Sequence, residues 1–147
     1  IAVTSPSKAA TLRQIGADQT IGRKDDYVEL LGKESVDVVI DLVAGQKWPS
    51  LLDALRSGGR YAVAGAIGGS SVEFDIRTLY LKDLSFFGCT VLEPEVFGNL
   101  IARIESGRVK PMVAEIYPLK EIGNAQASFE SKSHIGKIVL KIEDEPN

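Results

Sequence analysis

The amino-acid sequence predicts an α/β fold built on a doubly wound parallel sheet. Three observations lead there. Strand-like and helix-like segments alternate along nearly the whole chain, which calls for right-handed crossovers between parallel strands. Val36 to Val43 (VDVVIDLV) is a β-branched apolar run without amphipathic alternation, the pattern of a parallel strand covered on both faces. Glycines follow the helical stretches at Gly16, Gly32, Gly58-Gly59 and Gly107, where a left-handed residue stops a helix.

Each element has its own local reason. Ile1 to Thr4 predicts a short buried strand, after which Ser5-Pro6 supplies an N-cap and a proline at the first helical position. Ala9, Leu12 and Ile15 stripe the helix that follows. Gln19 to Ile21 predicts a second strand, and Asp25 and Asp26 open a helix running to Leu31. After the Val36 strand, Trp48, Leu51, Leu52 and Leu55 repeat at the spacing of one helical face, with Trp48 in the core and Gly58-Gly59 as the stop. Tyr61 to Ala64 is the next strand. A loop at Gly68-Gly69-Ser70-Ser71 leads to a short helix at Ile76 to Leu81 and a strand at Leu84 to Leu92. Pro94 opens a helix with Val96, Phe97, Leu100, Ile101 and Ile104 inward. Val113 to Tyr117, a helix from Lys120 to Ser131 and the alternating strand Lys137 to Ile142 complete the pattern.

Composition narrows the function classes. A chain of 147 residues, 44% hydrophobic and 25% charged, is the size of one domain with a sizeable core. Its 17 basic and 20 acidic residues give a net charge of -3, which recommends neither nucleic acid nor an anionic membrane as a partner. One cysteine, Cys89, and one histidine, His134, cannot close a four-ligand zinc site without remote carboxylates, and the lone thiol makes the cytoplasm the expected compartment. The apolar start at Ile1 reads as an opening inside a longer protein.

The succession SPSK (Ser5 to Lys8), IGAD (Ile15 to Asp18), VDVVIDLVAG (Val36 to Gly45), LRSGGRYAVAG (Leu55 to Gly65), LYLKDLSFFG (Leu79 to Gly88), IESGRVKP (Ile104 to Pro111), YPL (Tyr117 to Leu119) and HIGKIVL (His134 to Leu140) resembles the medium-chain dehydrogenases/reductases, in the branch of zinc-containing alcohol dehydrogenases and quinone oxidoreductases. The resemblance implies a Rossmann-like cofactor-binding portion over residues 1–112, with the first strand and its glycine-rich turn missing. It implies a segment over 113–147 that packs back on a catalytic domain outside this chain. Family strand order is 3-2-1-4-5-6, so a gap of roughly 9 to 10 Å, two strand spacings, is expected between the Ile1 and Val36 strands.

The resemblance also implies chemistry: hydride transfer between a nicotinamide ring and a carbonyl, a quinone or an activated alkene, with no catalytic residue in this chain. The cofactor is expected to be NADP rather than NAD. An acidic residue that binds an NAD ribose would stand at the end of the family's second strand, which is the Ile1 strand here, where this chain has Thr4 or Ser5 with Lys8 one turn on. Ser5 and Lys8 are therefore candidate contacts for a 2'-phosphate, and Arg23 or Lys24 a further cation. The plainer account is an N-cap serine and a solvated lysine. Ligands of open parallel sheets lie at the carboxyl ends of the strands, which selects Val43 and Gly45, then Gly65, Ala66 and Ile67, and then Phe87, Gly88 and Cys89. The glycines could equally serve tight turns, Asp41 reads as a cap, and Cys89 reads as a small core residue. Lys137 is placed near the cofactor phosphates by the resemblance, against the alternative of a solvent-facing lysine.

Zinc would belong to the absent N-terminal domain, which would also receive the small-molecule substrate. Homodimerisation is expected through the strand around 84–92. The competing functions are a non-catalytic NADPH-binding or dimerisation module and an enoyl-reductase segment of a multidomain synthase.

Overall fold

The computed structural model describes residues 1–90 and 93–142. Its contacts divide the chain into two units, Ile1–Val91 and Leu92–Asn147. The division by expected role, 1–112 and 113–147, follows a different criterion and falls later in the chain.

The first unit begins with β1 (Ala2–Thr4), α1 (Pro6–Gln14) and β2 (Thr20–Gly22). Proline at the start of α1 presets the helical φ and forfeits only an N–H that has no partner inside the helix. Gly16, at φ 117°, turns the chain out of it. β1 and β2 pair in parallel, Thr4 opposite Gly22. Asp26 then caps α2 (Tyr27–Leu31), its carboxylate accepting from the N–H groups of Val28 and Glu29.

β3 (Val36–Asp41), a 3-10 turn at Gly45–Lys47, α3 (Trp48–Ala54), β4 (Leu55–Val63), α4 (Ile76–Leu81) and β5 (Ser85–Gly88) follow. β3, β4 and β5 form a parallel three-stranded sheet in that order. No described strand joins it to the β1–β2 pair, which stands as a sheet of its own, as the expected gap requires. The small sheet is held instead by α2 packing on α3 and by Lys47, whose ammonium donates to the carbonyl of Asp25 at 2.7 Å and lies over the Tyr27 ring.

The core lies on one face of the larger sheet. Val39, Trp48, Leu52, Leu55, Tyr61 and Leu84 are buried together, with Leu51, Val63, Phe74 and Leu79 packed around them. Trp48 meets Tyr61, Phe74 and Phe86 edge-on at 5.1 to 5.6 Å between ring centres, a geometry that sets ring edges against π faces.

Two expectations are corrected here. The helix from Trp48 ends at Ala54 rather than at Gly58-Gly59. Leu55 already pairs with Val36, residues 56–59 loop out opposite Asp37, and pairing resumes at Arg60 with Val38. The glycines serve this bulge: Gly58 has φ 72°, and a Cβ at Gly59 would stand 2.8 Å from the carbonyl oxygen of Arg56. Arg56 uses the excursion to pair with Asp37. The Val36 strand, expected to be covered on both faces, is covered on one. Val39 and Asp41 are buried, whereas Val38 and Ile40 point the other way and Ile40 is 73% exposed. An uninterrupted apolar run is a statement about what a strand can tolerate, not about what covers it.

The second unit contains α5 (Pro94–Glu105), β6 (Val113–Pro118), α6 (Ile122–Ser131) and β7 (Lys137–Lys141), with β6 and β7 parallel. The apolar stripe of α5, expected inward, is exposed at Val96, Phe97, Leu100 and Ile101, leaving Ile104 half-buried. The strand expected over Leu84 to Leu92 is observed as Ser85–Gly88; Val91 and Leu92 lie outside the described residues. No helix among the described residues is long and apolar enough to cross a membrane.

Candidate functional site

Two groups of candidate residues gather at the carboxyl ends of strands in the first unit. The first sits beyond β1 and β2. Because Thr4 stands opposite Gly22, the chain leaves both strands at one level, and the next residues are Ser5 on one side and Arg23 on the other. Lys8 stands one turn into α1, its N–H bonded to the carbonyl of Ser5 at 3.0 Å. Ser5 occupies the N-cap position but does not cap: its hydroxyl is 3.1 Å from that of Ser7. A Cβ at Gly22 would meet the Asp25 carboxylate at 2.8 Å, and that carboxylate accepts from the Gly22 N–H at 2.7 Å. Hydroxyl, ammonium and guanidinium form a set of hydrogen-bond donors and positive charge, the chemistry that receives a phosphate.

The second group comprises the turns after β3, β4 and β5. Val43 accepts at its carbonyl from the Gly68 N–H at 2.7 Å, and Ala44 bridges to Gly69, so the 42–45 and 64–69 turns are one backbone-to-backbone assembly. The assembly explains its glycines. A Cβ at Gly45 would come within 2.3 Å of the Gly68 carbonyl oxygen, and one at Gly65 within 2.5 Å of that of Leu42. The tight-turn account of Gly45 and Gly65 therefore has a concrete basis, and Gly45 is itself buried. Val43 and Ala66 are exposed, and Ile67 is 88% exposed. Cys89 donates its N–H to the carbonyl of Val63 at 2.9 Å, which sets Phe87, Gly88 and Cys89 beside the β4 exit. Cys89 is exposed, not the core residue its apolar neighbours suggested, because β5 stands at the edge of its sheet among the described strands.

Asp41 organises this assembly. It ends β3 and is 6% exposed. One carboxylate oxygen accepts from the N–H groups of Val43 and Ala44 at 2.7 and 2.9 Å, and the other accepts from the Tyr61 hydroxyl. Asp41 thus caps a turn, as its sequence context suggested, but the Tyr61 bond was not legible, since it depends on the β3–β4 register. Burial, and then the Asp41 acceptor, push the Tyr61 hydroxyl far above the usual tyrosine range, so it remains a donor. Ala44, at φ 54° and ψ -148°, occupies a region that glycine fills and other residues avoid, at a cost on the order of 1–3 kcal/mol.

Lys47 links the two groups, following the 42–45 turn and reaching the carbonyls of Lys24 and Asp25 just past Arg23. Nothing in the sequence marked it. Lys137 belongs to the second unit, where it is exposed at the start of β7 and donates its N–H to the carbonyl of Met112 at 2.8 Å. A zinc ion does not fit what is described: no group of three His, Cys, Asp or Glu among the described residues could hold a metal.

Comparison with known proteins bears on the family. Residues 15–140 match the family model for zinc-binding dehydrogenases. The quinone oxidoreductase of Rattus norvegicus is 30% identical over 139 residues, 86% of this chain and 42% of that protein, so the chain spans about two-fifths of the length of such relatives. Among solved structures, a 2-octenoyl-CoA carboxylase reductase in complex with NADP and 2-octenoyl-CoA superposes with a TM-score of 0.80 at 26% identity, over 95% of this chain and 37% of that one. The yhfP protein of Bacillus subtilis, with NAD bound, gives 0.80 at 25% identity, over 96% and 46%. With a family match across most of its length and parallel strands whose turns are built from close glycine contacts, the chain belongs to the zinc-binding dehydrogenase family.

Proposed function

We propose that this chain is the cofactor-binding portion of an NADP(H)-dependent oxidoreductase that transfers hydride to or from a carbonyl, a quinone or an activated alkene. The observation that carries the cofactor choice is the register of Thr4 with Gly22, which brings Ser5, Lys8 and Arg23 to one end of a small sheet without an acidic residue at the β1 exit. An acid there would repel a 2'-phosphate, whereas these three side chains offer it donors and two positive charges. Relatives with NADP and with NAD bound differ in cofactor on one fold, so the choice falls to such local residues.

The nicotinamide ring supplies the hydride chemistry when bound, and this chain's part is to bind and orient it. The turns carrying Val43, Gly45, Gly65, Ala66 and Ile67, and the β5 exit at Phe87, Gly88 and Cys89, would receive the nicotinamide end. Lys137 would reach the phosphates. Substrate, and any zinc, would be held by a catalytic portion beyond the two-fifths represented here, with residues 113–147 packing against it. Two copies would associate along the β5 edge.

The test is a calorimetric titration of the chain with NADPH and NADH, repeated with Lys8→Glu. NADPH is expected to bind roughly tenfold or more tightly than NADH, the scale of one hydrogen-bonded charge, with the difference removed by the substitution. Equal affinities in the unsubstituted chain would overturn the NADP assignment, and binding of neither would overturn the cofactor role.

A further inference from the structure

We infer that Asp41 is a positioning residue for the nicotinamide end of the cofactor, holding the 42–45 turn in the shape that presents Val43 and, through Gly68, Ile67 to the ring. The inference rests on the cofactor role proposed above and deepens it.

Three features of the geometry converge on this residue. Its carboxylate is buried yet fully employed, with one oxygen accepting from the Val43 and Ala44 N–H groups and the other from Tyr61. Tyr61 is 1% exposed and packs against Trp48, so the anchor behind Asp41 lies in the packed core of the unit. The turn in front of it is held in an unfavourable conformation at Ala44, and a turn left to itself would leave that conformation. A buried carboxylate spent on restraining a strained turn is more than the turn needs to connect β3 to α3.

What the restraint fixes is an apolar lip. Leu42, Val43 and Ile67 are exposed at the carboxyl ends of β3 and β4, the side of an open parallel sheet where ligands bind. Val43 is set directly by the Asp41 bond to its N–H. Ile67 is set at one remove, because the Gly68 N–H is bonded to the Val43 carbonyl. Exposed aliphatic side chains on a rigid backbone suit one face of a flat heteroaromatic ring while the reacting face stays open. Ser5, Lys8 and Arg23, on the other sheet, would hold the adenosine phosphate, so the two ends of the ligand should depend on different residues.

The experiment compares the chain with Asp41→Asn and Asp41→Ala. Each is titrated with NADPH and with adenosine 2',5'-bisphosphate, which carries the phosphate-bearing end and lacks the nicotinamide. Exchange of the Val43 and Ala44 amide protons is followed in parallel. Asparagine keeps an acceptor for those amides and alanine does not, so NADPH affinity is expected to fall about threefold in the first and about tenfold or more in the second. Affinity for the bisphosphate should stay within about twofold, and the two amides should exchange faster in Asp41→Ala. Should that variant fail to fold, the Asn variant alone must still separate the two ligands.

Unchanged NADPH affinity in folded variants, or equal losses for both ligands, overturns the inference while leaving the cofactor role standing. Failure of the unsubstituted chain to bind either ligand overturns both.

Discussion

Ser128 donates to Glu115 Oε2 over 2.8 Å, and in doing so ties α6 to β6. The Tyr117 hydroxyl donates to the same oxygen. These two bonds, Tyr117 first and Ser128 second, hold the Glu115 carboxyl below its ordinary range. A carboxylate favoured in the folded state adds stability above its unfolded pKa, 4.5 here, and that contribution is lost as the pH falls through the depressed folded value. Ser128→Ala should therefore lower the melting temperature at pH 7, and the deficit should narrow at pH 3. A deficit independent of pH would mean that the serine acts by packing alone.

Tyr61→Phe removes one donor and leaves a buried Asp41 oxygen without it. The expected cost is about 1–3 kcal/mol in urea denaturation, that of an unsatisfied buried polar group. The tyrosine brings a second signature. Its folded pKa lies above the usual 10.0, so its stabilising effect is complete below that pH and declines as the pH rises further, when the unfolded chain can ionise and the folded one resists. The unsubstituted chain should lose stability above pH 10 more steeply than the phenylalanine variant, as measured by denaturation at pH 9 and pH 11.

Gly45→Ala is expected to be among the most damaging single-methyl additions in the first unit. The new carbon would sit 2.3 Å from a backbone oxygen of Gly68 in a residue at φ 77°. Neither obstacle is a flexible side chain that could step aside, so a loss above about 2 kcal/mol is expected. Gly16→Ala offers the control, with the same positive-φ handicap but nothing within 4 Å of the new methyl. Thermal melts of the two variants should differ, and similar losses would show that the contact between the turns contributes little.

The β5 edge offers Phe86 and Phe87 at an open side of the sheet, the latter 50% exposed. An unpaired edge with aromatic side chains invites pairing with another chain. Sedimentation of the unsubstituted chain is expected to give a dimer, and Phe87→Asp a monomer, by placing a charge where two edges would meet. A monomer in both cases would remove this edge from consideration.

Most elements were legible because local chemistry sets them. Pro6, Asp26 and Gly32 mark helix limits wherever the chain goes, and Ile76–Leu81 matches the expected short helix end to end. Contacts distant in sequence were not legible. That Leu55 would leave its helix to pair with Val36 is decided by the sheet, since its apolar side chain fits either structure. The exposure of Ile40, Phe97 and Cys89 has the same origin, because apolarity records a capacity for burial without naming the covering surface. At the candidate site the individual positions followed from strand ends, whereas the bonds that give Asp41 and Lys47 their roles span turns and registers that no local pattern encodes.

Trp48 is the only tryptophan in the sequence, and its ring touches Tyr61, which bonds the carboxylate gripping the 42–45 turn. The chain therefore carries one tryptophan that can be excited selectively over its tyrosines, linked through Tyr61 and Asp41 to the turn proposed to receive a reduced nicotinamide. Its ultraviolet emission falls where such a ring absorbs, so an occupied site should quench it and a loosened turn should shift its spectrum. Occupancy and turn conformation can thus be followed separately, in real time and without any label.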